Sequence, residues 1–121
     1  ADYLYWMHFN NNVQGIFFAT NALGANPTGE AAERYRGLLN RRREGYYGYL
    51  EQRLGEVPYL AGDDFTCADI MVAFNLTSLP IFGGRKIDDL PNAQAYVERI
   101  TARPAYRKAM EIAGPEATPP G

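Results

Sequence analysis

Soft metal ligands are nearly absent from this chain of 121 residues, which holds one cysteine, Cys67, and one histidine, His8. A lone cysteine excludes an internal disulfide and fits a reducing compartment, and the pair falls short of a zinc ligand set. Charge is balanced: 12 Lys and Arg stand against 14 Asp and Glu, a net charge of -2. That balance argues against nucleic acid as a main partner, because phosphate binding needs a basic excess. No apolar run approaches the roughly 20 residues of a membrane span, and the start carries no signal-peptide pattern. A cytoplasmic protein is expected. No internal repeat and no convincing apolar-polar alternation places a sheet. What the chain does have is 46% hydrophobic residues, enough for one core in one domain.

The apolar positions recur at helical steps. Trp6, Phe9, Val13, Ile16 or Phe17, and Thr20 predict a first helix from Asp2 to about Leu23, stopped by Gly24, Asn26 and Pro27. A second, from Thr28 or Gly29 to about Gly55, carries Tyr35, Leu38, Leu39, Tyr46, Tyr49, Leu50 and Leu54. A short link should pack the two antiparallel. Gly37, Gly45 and Gly48 each cost about 1 kcal/mol relative to alanine in that helix. Close approach of another backbone and local fraying both explain them, and both readings stand open. Further on, Pro91 restarts the helical pattern with Tyr96, Val97 and Ile100 inward, and Pro104 opens a last short helix.

Between these lies YLAGDDFTCADIMVAF, Tyr59 to Phe74. Thr66 stands three residues before Asp69, the spacing of a capping box, and Phe65 and Ile70 have the spacing of a hydrophobic staple. From Ile70 to Leu79 only Asn75, Thr77 and Ser78 interrupt the apolar run. A helix without a wet face belongs inside a domain.

Candidate binding residues fall on the first helix. Asn10, Asn11 and Asn12 are three consecutive amides, each costing a helix about 0.6 kcal/mol relative to alanine. Tyr3, Met7, Asn10 or Asn11, Gln14 and Phe18 form a stripe of aromatics and amides opposite Trp6 and Phe9. Such a stripe suits a semi-polar ligand or a partner subunit, and equally a hydrated face. His8 has no acidic or nucleophilic partner in the sequence and reads as a surface or structural residue. Cys67 reads as a small residue packed beside the cap. Arg41, Arg42 and Arg43, with Glu44 and Glu51 nearby, read as a solvated helix face.

The string YLAGDDFTCADI closely resembles the glutathione transferase C-terminal domain, in which a loop ending in Gly-Asp leads to a (Ser/Thr)-x-x-Asp cap on the central helix. RITARPAYRKAM resembles that family's closing segment. YLYWMHFNNN is similar to bacterial and fungal members reading Tyr-(Trp)-x-His-Phe-Ala-(Asn/Glu)-Gly, with Asn10 in place of the alanine and Asn12 in place of the glycine. The resemblance implies an all-α orthogonal bundle of about five helices around a buried central helix, spanning 1–113, with 114–121 a Pro/Gly-rich tail. Thr66 and Asp69 would act in folding and not in catalysis. Met7, Asn10, Asn11 and Gln14 would face the electrophile, Asn11 taking the family's Asn or Glu position. The resemblance further implies a homodimer. Glutathione would be a co-substrate of the full-length protein and not a cofactor held here. Its thiolate-stabilising Ser, Tyr or Cys would sit in a thioredoxin-like half preceding Ala1, leaving this half inactive alone. The alternative is a non-catalytic interaction module, since similar helical domains bind proteins in translation factors and aminoacyl-tRNA synthetase complexes.

Overall fold

The computed structural model describes residues 1–24 and 28–114. Among them five α-helices follow in order: α1 (Asp2–Leu23), α2 (Glu30–Glu56), α3 (Cys67–Thr77), α4 (Pro91–Thr101) and α5 (Pro104–Ala113). A 3-10 turn, Leu79–Phe82, leaves α3, and a lone bridge joins Tyr59 to Gly62. The fold is all-α. Asn26 and Pro27, expected to help stop the first helix, lie outside the described residues, as does the expected tail from residue 115. Gly24 caps α1 at a φ of 73°, a backbone angle glycine adopts readily.

Aromatic rings join α1 to α2. Trp6 stacks on Tyr49 with centroids 5.5 Å apart, and Phe9 meets Tyr46 edge-on at 5.4 Å. Numbers rise along α1 as they fall along α2, so the pair is antiparallel. On its other side α1 meets α3, which runs the same way: Tyr3 lies beside Cys67, and Asn10 bonds Asn75. The core fills the space between them with Phe9, Val13, Leu50, Val72, Leu76 and the buried Tyr96 of α4.

Asp69 ties the chain together at the start of α3. Thr66, the N-cap, accepts from the Ala68 N–H at 3.3 Å, and the Asp69 Oδ2 accepts from the Thr66 N–H at 2.8 Å, closing the capping box. The Thr66 hydroxyl donates to the same oxygen at 3.3 Å. Oδ1 reaches beyond the helix, accepting from the Leu60 N–H at 3.0 Å and the Tyr96 hydroxyl at 2.7 Å. Asp69 is 0% exposed. Its four donors satisfy the buried carboxylate without a counter-ion, which is the condition for burying one at all. The Leu60 carbonyl accepts in turn from Arg53 of α2 at 3.1 and 3.0 Å. One turn thus links α2, α3 and α4.

Three expectations need correction. First, α3 is not enclosed: Val72 and Leu76 are buried, but Ile70, Met71 and Phe74 are 57%, 38% and 43% exposed. The cause is length, since α4 and α5 have only 11 and 10 residues and α5 contributes no buried side chain. Second, Gly37, Gly45 and Gly48 have nothing within 4 Å of an added Cβ, so no backbone among the described residues approaches them closely. The crowded glycine of α2 is Gly55, where a Cβ would stand 3.0 Å from the Asn92 amide. Third, Glu51 is not merely solvated. The start of α4 has Leu90 at its N-cap and Pro91 after it, neither of which can cap. Glu51 supplies the missing acceptors, taking the Asn92 and Ala93 N–H groups at 2.8 Å each and placing negative charge at a helix N-terminus. Glu44, also assigned to the solvated face, holds Arg85 at 2.9 Å.

Replacing Asp69 with alanine should lower the unfolding free energy by about 3 kcal/mol or more, because several buried donors lose their acceptor at once. Thr66→Ala should cost about 1 kcal/mol, the worth of a cap. Urea denaturation of both variants checks the ranking, and equal losses would show that Asp69 acts only as a cap. A second outcome concerns pH. Burial, and then the Asp69 charge and hydrogen bond, raise the Tyr96 phenol well above the ordinary 10.0. A raised folded pKa gives stability that is present below the unfolded value and lost above it, so the domain should weaken as pH climbs past about 10. In a spectrophotometric alkaline titration Tyr96 should ionise only with unfolding, and Tyr96→Phe should remove one late-ionising phenol.

Candidate functional site

The buried side of α1 carries Trp6, Phe9, Asn10, Val13 and Ile16. Of the stripe left outside, Gln14 and Phe18 share a groove with Phe74 of α3. Met7 is half-buried against the core, Asn11 is exposed, and Gln14 is half-buried at the edge of a groove. Asn10, expected in that stripe, is not part of it. It is 1% exposed and its Oδ1 accepts from the Asn75 Nδ2 at 2.6 Å. An amide can leave water here because another amide meets it. Asn75 Oδ1 has no hydrogen-bond partner, a loss of about 1–3 kcal/mol for a buried acceptor. Cys67, expected to pack beside the cap, does not. It is exposed at the first position of α3, because Ala68 and Asp69 take the inward positions. His8 is exposed on the outer side of α1.

Where the two helices run out, α1 and α3 form an open groove of about 540 Å³ with the 3-10 turn. Gln14, Phe17, Phe18 and Asn21 come from α1, Phe74 from α3, and Leu79 and Phe82 from the turn. Phe74 also borders a cavity of about 320 Å³ between α3 and α5, together with Phe65, Ile70, Tyr106, Met110 and Arg103. Phe74 and Phe82 cannot be assigned to the site from sequence, because they lie far from the amide stripe in the chain. The readable signal is an apolar run too long to be covered by two short helices. The groove offers aromatic faces and two amides, and none of its lining side chains is charged, nucleophilic or a proton carrier at neutral pH. It can bind and orient an uncharged, flat molecule, with the amides giving and accepting hydrogen bonds.

An all-α domain whose central helix opens on a Thr-x-x-Asp box is the class of protein that the fold defines. The chain belongs to the glutathione S-transferase C-terminal domain family, whose model matches residues 17–104. It is 39% identical to glutathione S-transferase F13 of Arabidopsis thaliana over 59 residues, covering 48% of this chain and 27% of that protein. To glutathione S-transferase 2 of Saccharomyces cerevisiae it is 29% identical over 99 residues, 80% of this chain and 42% of that one. To glutathione S-transferase 1 of Triticum aestivum it is 35% identical over 80 residues, 65% of this chain and 31% of that one. The chain therefore spans less than half the length of these relatives, between 27% and 42%. No solved structure matches it.

Placement decides what the two neighbouring asparagines do. Asn11→Ala should leave the urea midpoint unchanged or slightly raised, since alanine is the better helix former by about 0.6 kcal/mol and Asn11 is exposed. Asn10→Ala should lower the midpoint, because it strands Asn75. The opposite order would mean that the two roles are exchanged.

Proposed function

We propose that this chain is the electrophile-binding half of a glutathione transferase and takes part in its homodimer. One observation carries the reading: the outer stripe of α1 and the bare face of α3 join, through Gln14 and Phe74, into one uncharged wall. Among the described residues, α5 faces part of that wall across the cavity at Ile70 and Phe74, and the groove at Gln14, Phe18 and Phe82 stays open. Its partner would be a thioredoxin-like half that holds glutathione and lowers the thiol pKa, work for which the wall has no group. Between the halves a small hydrophobic electrophile would lie on the phenylalanines, turned by Gln14 and Asn21. Asn11 and Met7 would border the same cleft nearer the start of α1. The open glycine stripe of α2, beside the exposed Tyr5 and Tyr49, supports the dimer, since unencumbered glycines admit another backbone closely. A reducing cytoplasm, where glutathione stays a thiol, is the compartment such an enzyme would use.

The chain alone should fold, yet fail to conjugate glutathione to an aryl halide. In the enzyme carrying its thioredoxin-like half, Gln14→Ala or Phe74→Ala should raise KM for the electrophile roughly tenfold, about 1.4 kcal/mol, with KM for glutathione unchanged. Asn11→Ala should shift preference among electrophiles. Robust conjugation by the isolated chain would overturn the division of labour, and an unchanged electrophile KM would remove the groove from the site.

A further inference from the structure

Among the described residues, Tyr3 meets Cys67 at the exposed start of the interface between α1 and α3, and its buried part holds the Asn10 to Asn75 hydrogen bond at 2.6 Å, made by residues 65 apart in sequence. Trp6, Phe9, Val13, Val72 and Leu76 surround it in the core. Both amides are essentially dry, at 1% and 2% exposure. The contact is not there for stability alone, because it leaves Asn75 Oδ1 without a partner where a pair of aliphatic side chains would leave nothing unpaired. What a single buried amide pair supplies is discrimination among registers. Two parallel apolar helix faces can slide by one turn, about 5.4 Å, and still bury similar area. A slide here would separate Asn10 from Asn75 and leave both amides facing hydrocarbon.

We propose that Asn10 and Asn75 are positioning residues, a register lock that sets the groove by fixing α1 against α3. The geometry gives the lock a direct consequence. Gln14 lies one helical turn beyond Asn10, and Phe74 is the neighbour of Asn75, and both line the groove. A one-turn slip would bring Asn10 or Phe18 to the place of Gln14 and change which aromatic rings face each other. Only its effect on conjugation rests on the proposed function; the register itself does not.

The experiment is made on this chain, with Asn10→Leu, Asn75→Leu and the double variant. Each single variant should lower the urea midpoint, because a leucine then faces an unpaired amide. The double variant should recover the parent midpoint or exceed it. At that restored stability, the side-chain amide signals of Gln14 and the ring signals of Phe74 in NMR spectra should double or broaden, the signature of two registers. Full recovery of stability with single, sharp signals at parent positions would overturn the lock, showing that packing alone fixes the register. Midpoint losses that simply add in the double variant would overturn it too, since the amides would not be coupled. Should the double variant fail to fold, Asn10→Ala with Asn75→Ala offers the same two readouts at smaller volume change. Doubled signals in this chain, with electrophile KM unchanged when the same double variant is placed in the enzyme carrying its thioredoxin-like half, would count against the proposed function and leave the lock standing.

Discussion

A carboxylate without water sits where four segments meet, and the arrangement of the bundle follows from its need for donors. Asp69 draws the Leu60 N–H, the Thr66 N–H and hydroxyl, and the Tyr96 hydroxyl to within 3.3 Å. These donors come from three separate parts of the fold, namely the docked turn, the helix cap and the packed face of α4. None can move far without exposing a charge to a medium that solvates it poorly. This is why a motif read locally as a cap has a tertiary reach. The Tyr96 ring fills the core while its hydroxyl completes the carboxylate, so packing and polarity demand the same position of α4.

How much of this is legible in the sequence depends on whether the partners are near one another along the chain. The Thr66 and Asp69 box, the breaks at Pro91 and Pro104, and the inward face of α1 are local patterns, and they can be read directly. Glu51 cannot be read as the cap of α4, since 41 residues separate it from Asn92. Nothing in a sequence shows that a glutamate mid-helix will lie opposite a helix that begins with Pro91. The Tyr96 link to Asp69 is hidden for the same reason. Asn10 misleads because three amides in a row look like one polar face. Helical geometry separates them: Asn10 shares a face with Trp6 and Val13, while Asn11 turns outward.

The candidate site is legible in its location and not in its membership. Gln14 and Phe18 can be placed on one stripe by counting, but Phe74 and Phe82 enter from other elements. The apolar run from Ile70 to Phe74 is readable as hydrophobic, and the expectation that it must be enclosed comes from treating the chain as self-sufficient. Burial requires covering elements, and α5 with its 10 residues does not cover it. The proposed cleft would set a second wall against the apolar face that this sequence makes and does not hide.

Rigidity and variability are divided along α3 in a way that suits such a wall. Its start is held by Asp69 and its middle by Asn75 against Asn10. Its exit is held by the Gly84 N–H on the Leu79 carbonyl at 2.8 Å, in a turn so tight that a Cβ on Gly84 would come within 2.7 Å of that oxygen. The backbone that carries the groove is therefore fixed at three points along its length. By contrast, Phe18 and Phe82 are 64% and 67% exposed and bear little of the packing load. Substitutions at those two rings alter the shape presented to a ligand while leaving the hydrogen bonds beneath intact. A scaffold of this kind can change what it accepts through surface rings alone, because the polar contacts that fix its helices lie behind the wall.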